Sequence, residues 1–320
     1  INGYVYILFA ENYCGSVPTS VQNADGTFTF GVGLTTQQLL DSAASKFNQA
    51  LSGGGSSLSA SVKSFAQIGL GRADLDKGDF AGAAAAVAGV PTTYQYVYAH
   101  SQTSAAQNNG TWLLTVNVAR FGEADVKGTN GLPFSSEGDV KTLGAAADPR
   151  VADSIRAGTH LGFDGATIQY VQMKYPARTS SSVIADGVEA RLIEAEAALQ
   201  NSDPAGALTI LNALRSNSAL LALRGYPANS LAPLTLQATP AAQRDQLFKE
   251  RAYWLYLTSH RLGDLRRLIR QYGLGSESVF PTGVYVHNGG TYGTDVNSPV
   301  PLAEQNNPNY VAGSCKQNQA

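Results

Sequence analysis

Cysteine is nearly absent: only Cys14 and Cys315 occur in 320 residues, with no CxxC pair and no Cys/His cluster at zinc spacing. A structural zinc site is therefore excluded. Long apolar runs are missing as well, and the longest, Tyr4 to Ala10, is too short to cross a bilayer as a helix. Positive charge is not in excess, with 22 Lys plus Arg against 24 Asp plus Glu, which leaves nothing to neutralise a phosphate backbone or an anionic membrane surface. Nucleic acid is excluded as a partner. The four histidines, His100, His160, His260 and His287, stand in no recognisable motif. His260 is beside Ser259 and near Asp264, but adjacent residues on a helix point in different directions, so no triad can be built there. No glycine-rich phosphate loop and no carboxylate pair suited to glycoside cleavage is visible. Neither a catalytic residue nor a cofactor is expected.

What the chain does contain is neutral polarity. Charged residues make up 14% of it, so the surface must be built from Ser, Thr, Asn, Gln and Gly, a composition common outside the cytoplasm. The length is ample for a large core. The sequence opens on Ile1 inside an apolar segment, and a truncated N-terminus is the expectation.

Helical periodicity dominates. Residues 1 to 13 read as a helix broken by Gly15-Ser16-Val17-Pro18. Thr35 or Thr36 is placed to cap a helix carrying Leu39, Leu40, Ala43, Phe47 and Ala50, ended by the run Gly53 to Ser57. A second helix follows through Val62, Phe65, Ile68, Leu70, Ala73 and Leu75, and an Ala-rich third ends at Gly89. The plan recurs 124 positions later: Ala73, Leu75, Gly78, Asp79, Ala81, Gly82 and Ala83 match Ala197, Leu199, Ser202, Asp203, Ala205, Gly206 and Ala207. Small residues let paired helices approach, and the Asp supplies an N-cap, as in tetratricopeptide-type pairs. Two unrelated Ala-rich helices matching by chance is the alternative. Trp112 to Phe121 alternates around Leu114, Val116 and Val118, and Thr167 to Tyr175 is likewise strand-like. Ala242 to Tyr272 is helical, with a kink expected near Thr258 to Gly263, and the remainder is rich in Gly, Asn, Pro and Tyr.

Glu250-Arg251-Ala252-Tyr253-Trp254-Leu255, followed by His260-Arg261-Leu262-Gly263-Asp264-Leu265-Arg266-Arg267, resembles the C-terminal signature of SusD/RagB-like proteins. Ala190 to Ala197 with Leu211 to Arg215 is similar to the family's preceding helix pair, and Pro299-Val300-Pro301, Glu304 and Asn306 to Asn309 to its terminal segment. His260 stands where a glycine is more usual. The resemblance implies one SusD-like domain over 1–320, mainly α, with tetratricopeptide-like helix pairs at about 35–90 and 183–216, a signature helix at about 242–272, a small β element and an irregular tail over 273–320. It also implies an extracytoplasmic protein, at the outer-membrane surface or in the periplasm, lipid-anchored through a missing N-terminal segment. Such a protein takes up a nutrient, a glycan above all, for a SusC-like TonB-dependent transporter. The other reading is a structural subunit bracing another envelope membrane complex, respiratory or photosynthetic in type.

Glu250, Arg251, Arg261, Asp264 and Arg266 carry the signature, and charges at these spacings read as salt bridges that fix helices rather than as a ligand site. Glu189, Glu194 and Glu196 with Arg191 read as a solvated or ion-paired face. A sugar is better sought at aromatic rings, whose faces stack on its apolar side. Tyr94, Tyr96 and Tyr98 alternate after Pro91 and so share one face of an extended segment, although a strand packing its tyrosines on helices would look the same. Trp112, Tyr285 and Tyr292 are further ligand-binding candidates, with Asn288 and Asn297 as hydroxyl partners. In the oxidising compartment that the resemblance implies, Cys14 and Cys315 are expected to form a disulfide, the alternative being two buried free thiols.

Overall fold

The computed structural model describes residues 1–320 apart from 55, 56, 124, 127 and 286–288. Helices hold 48% of the chain and strands 11%, so the mainly α expectation holds. Two compact units are present: Ile1–Gly89, Arg261–Phe280 and Gly293–Ala320 form the first, Val90–His260 and Pro281–Tyr292 the second.

The first unit packs α1 (Asn2–Asn12), α2 (Thr36–Gly53), α3 (Ala60–Lys77) and α4 (Phe80–Val87) in succession, with α12 (Arg261–Arg270) against α1 and α13 (Ser276–Val279) following it. Thr35 begins α2 through a capping box: its hydroxyl accepts from the Gln38 amide while the Gln38 side chain accepts from the Thr35 amide. Leu39, Leu40, Ala43, Ala44 and Phe47 form the buried stripe of α2, whereas Ala50 is exposed. Phe47 fits between two glycines. A Cβ on Gly3 or Gly69 would lie 2.6 or 2.2 Å from its ring, so α1 and α3 can close on it only where a side chain is missing. Tyr4 completes the packing, edge-on to Phe47 at 5.0 Å and stacked on Phe65 at 4.5 Å.

Two small antiparallel pairs, β1 (Val17–Pro18) with β4 (Gly33–Leu34) and β2 (Val21–Gln22) with β3 (Phe28–Thr29), fill the passage from α1 to α2. The tail returns to the same unit. The Cys14 amide donates to the Ser298 carbonyl, and Asn307 and Asn309 donate to the carbonyls of Gly31 and Phe30. Cys14 and Cys315 are disulfide-bonded with their Cα atoms 5.1 Å apart, which settles the sequence alternative against two free thiols.

The second unit holds the short helices α5 (Gly110–Trp112), α6 (Phe134–Gly138) and α7 (Val140–Leu143), then α8 (Gly187–Gln200), α9 (Pro204–Ser216), α10 (Ser218–Arg224) and α11 (Pro240–Trp254). Two ribbons accompany them: β5 (Gln95–Tyr98) pairs with β8 (Ser182–Asp186), and β6 (Asp153–Ile155) with β7 (Tyr170–Gln172). Its core joins Val188, Leu192 and Ala195 of α8 to Leu211 and Leu214 of α9 and Leu247 and Trp254 of α11.

The repeat is physical as well as textual. In the turn from α3 to α4 the amides of Gly78 and Asp79 donate to the carbonyls of Leu75 and Asp74; in the turn from α8 to α9 those of Ser202 and Asp203 donate to Leu199 and Ala198. Both turns pass through a left-handed residue, Gly78 at φ +82° and Ser202 at φ +59°. Asp79 and Asp203 then cap the next helix by accepting from the amides of Gly82 and Gly206. Ala83 and Ala207, four residues beyond each cap, are both buried.

Three expectations need correction. Trp112 to Phe121 is not a strand: Asn109 caps a helical turn by accepting from the Trp112 amide, and Leu113–Asn117 continues as a π-helix closed by the Val118 amide on the Leu113 carbonyl. Alternation misled because it is Thr115, donating to the Thr111 carbonyl, that is buried, while Leu114 is exposed. In Thr167 to Tyr175 only Tyr170–Gln172 pairs as a strand. Between Ala242 and Tyr272 the helix does not kink but stops at Trp254 and restarts at Arg261, because Leu257 and Ser259 adopt left-handed backbone angles of φ +55° and +62°.

Candidate functional site

The β5–β8 ribbon positions the aromatic candidates. Tyr98 pairs with Ser182 and Tyr96 with Ala185, while Ile184 is the extra residue of a bulge. Directly paired residues share a face and neighbours along a strand alternate. Tyr96, Tyr98 and Ser182 therefore lie on one face and Gln95 and Val183 on the other. Tyr98 is 57% exposed, with its ring edge-on to His100 at 5.0 Å.

His100 is fixed at both ring nitrogens, one 2.9 Å from the Ser182 hydroxyl and the other 3.3 Å from the Gln107 carbonyl. Asn109 ties this group to the π-helical segment. Its side-chain amide donates to the Ser180 carbonyl at 2.9 Å and to the Ser182 hydroxyl at 3.3 Å, and its oxygen caps Trp112. The Arg178 guanidinium lies 5.5 Å from the Trp112 ring centre. Ser182 and Asn109 thus link the strand that carries Tyr98 to the turn that carries Trp112, with His100 beside the first ring and Arg178 beside the second. Such rings can stack a flat apolar face, and their polar neighbours can hydrogen-bond its rim.

The other candidates are less open or stand apart from this face. Tyr94 and Tyr96 are half-buried, and the Tyr94 carbonyl accepts from the Gly187 amide where α8 begins. Tyr285 and Tyr292 stand edge-on to each other at 5.4 Å beside the Val284–Thr291 bridge. Asn297 is buried and its side-chain amide donates to the Gln319 carbonyl at 2.5 Å. Asn288 and His287 lie outside the described residues. His100, Ser182, Asn109 and Arg178 were not anticipated.

Four of the five signature charges are buried. Glu250 accepts from Arg150 and Arg215, each at 2.7 Å, and from the Trp254 indole at 3.2 Å. Arg251 stands 3.5 Å from Glu196. In the first unit Asp264 pairs with Arg267 at 2.9 Å, Arg266 donates to the Ala10 carbonyl at 2.6 Å, and Arg261 is half-buried. The α8 carboxylates divide: Glu194 pairs with Arg191 at 2.8 Å near the surface, whereas Glu189 is buried 3.0 Å from His260. The ion-paired reading of this helix holds for Glu194 with Arg191 and for the buried Glu196 with Arg251.

Two features are unusual for their chemistry. Glu123 and Asp153 are neighbouring carboxyls with no well-formed hydrogen bond to any of their oxygens. Burial first, then the mutual charge, raises Glu123 to about 9, and burial raises Asp153 to about 6. No group of three or more His, Cys, Asp and Glu among the described residues could hold a metal ion. The second feature is a cavity of about 350 Å³ in the second unit, bounded by Gln95 and Val183 of the ribbon and by Arg150, Lys174, Arg224 and Tyr226.

No helix among the described residues is long and apolar enough to cross a membrane. No family model and no curated protein matches the chain. Among solved structures it is similar to a SusD-like protein from Bacteroides fragilis, at 16% sequence identity and a TM-score of 0.56, over 85% of this chain and 68% of that one. The paired helices, their repeated Asp-capped turns and this likeness agree: the chain has the SusD-like fold.

Proposed function

We propose that this protein is a non-catalytic binding protein of the cell envelope that captures a nutrient, a glycan in the first instance, for a TonB-dependent outer-membrane transporter. The reading is supported by an aromatic platform that we assign to the exposed Tyr98 and to Trp112, whose strand and turn are linked through Ser182 and Asn109 beside His100 and Arg178 on a SusD-like fold. Sugars are bound in this way by a ring face against an aromatic and hydroxyls against fixed polar groups. A partner chain is supported by the exposed Val21, Phe28, Phe30 and Val32 around the β2–β3 pair, a run of large apolar side chains that water alone would leave unsatisfied.

The test has two arms. A glycan array followed by titration identifies the ligand, and the folded Y98A/W112A variant should bind it more weakly by about 1 to 3 kcal/mol in total. Unchanged affinity removes these rings from the site. Affinity isolation from native membranes should recover a TonB-dependent barrel; a stable stoichiometric complex without one favours the structural-subunit reading instead.

A further inference from the structure

We propose that the cavity bounded by Lys174, Arg224 and the Gln95–Val183 face of the β5–β8 ribbon is a second binding site, for a small organic carboxylate the size of one acidic sugar. The site lies on the ribbon face opposite Tyr98 and does not depend on the platform reading.

Charge balance is the first argument. The cavity wall contains three cations, Arg150, Lys174 and Arg224, and no aspartate or glutamate. Arg150 is already neutralised behind the wall, by Asp148 at 2.6 Å and Glu250 at 2.7 Å, and Arg224 is paired with Asp186. Lys174 has no carboxylate partner among the described residues and donates only to the Tyr256 carbonyl. When protonated, Lys174 is therefore the wall cation with no carboxylate at ion-pair distance, and an anionic ligand would supply its counter-charge.

The donor inventory is the second argument. The Arg224 side chain is 8% exposed, yet its Nε has no hydrogen-bond partner. That donor is enclosed away from the cavity surface, so hydrogen bonds to a ligand fall to the rest of the wall. Gln95, Ser181 and Tyr226 on the same wall offer neutral groups to ring hydroxyls. A volume of about 350 Å³ falls at the small end of ligand pockets, suited to one sugar ring and not to a chain.

The protonation of Lys174 agrees with this geometry. Burial, then the Arg224 guanidinium, push its ammonium down to about 7 against the pull of Asp186. Tyr175 is raised to about 12 and Tyr226 is raised too, while Arg224 and Arg150 are raised from an already strongly basic value. Lys174 is thereby brought close to neutrality, and a bound carboxylate would favour its charged form.

Titration calorimetry of the full chain with glucuronate, and with glucose as the uncharged comparator, tests the assignment. Glucuronate should bind saturably and at least about tenfold more tightly than glucose, since only the former meets Lys174. K174M, which keeps the apolar stem, should lose that preference, and Y98A should keep it. Repeating the wild-type titration at pH 8 in two buffers of different ionisation heat should reveal proton uptake on binding, as Lys174 recharges. Equal binding of glucose, an unaltered preference in K174M, or displacement of glucuronate by equimolar inorganic phosphate overturns the proposal. Absence of proton uptake in the wild type overturns it without recourse to any variant.

Discussion

Nη1 of Arg215 lies 2.7 Å from Oε1 of Glu250, a buried ion pair joining α9 to α11. The other oxygen of Glu250 takes Arg150 and the Trp254 indole, so one carboxylate is shared between two guanidiniums away from water. Removing it leaves both arginines with less counter-charge in a low-dielectric site. E250A is expected to destabilise the protein by about 3 to 5 kcal/mol, and E250Q by less because its amide oxygen still accepts. Both tryptophans of the chain, Trp112 and Trp254, belong to the second unit, so urea unfolding followed by their fluorescence reads this loss directly. A loss below about 1 kcal/mol for E250A would show that Asp148 alone compensates Arg150.

Gly69 and Phe47 make a second prediction. A methyl at Gly69 would stand 2.2 Å from the Phe47 ring, and that ring is held by Gly3 and Tyr4 on its other side. Overpacking costs about 1 to 3 kcal/mol even though alanine favours helix more than glycine does. G69A should therefore lower stability, and G69A/F47L should recover part of it by giving the methyl room. If the double variant is no more stable than the sum of the single losses, the steric explanation fails.

The Glu123 and Asp153 pair predicts how stability depends on pH. Burial, then the charge of Asp153, push Glu123 up to about 9 in the folded protein, far above the ordinary glutamate range. Between pH 5 and 7 the native state keeps a proton that the unfolded chain has released, so through this group the unfolding free energy falls as pH rises. Lys174, at about 7, acts above that window. E123Q, which cannot ionise, should be more stable than the wild type at pH 7, with the difference shrinking toward pH 4.5. Denaturant midpoints measured across that range decide it, and a difference that stays constant with pH would rule out ionisation as the cause.

How far the sequence could be read follows from which signals are local. The capping box at Thr35, the small residues of the paired helices and the two Asp-capped turns are spelled within a few residues, and the structure has them at those positions. The break at 255–260 was less legible because it rests on Leu257 and Ser259 in left-handed conformations that neither residue type advertises. The π-helix at 113–117 was hidden by an alternation of apolar residues whose burial does not follow it. In the candidate site the tyrosines of β5 were visible through their spacing. Ser182 and Asn109 were not, since they meet His100 and each other across 82 and 73 positions of chain. The cap of Trp112 by Asn109 is a local signal three residues long, and it could have marked that turn as helical.

The link between Cys14 and Cys315 spans 301 positions, so nearly the whole molecule is one covalent ring. A protease that cuts any single peptide bond within that ring opens it without releasing a fragment. The two new ends stay attached to one body, and the broken segment can re-form its contacts as an intramolecular event whose effective concentration is set by the ring itself. Two cuts, or one cut and a reductant, are needed before a piece can diffuse away. Damage to an exposed loop is in this way separated from loss of the molecule.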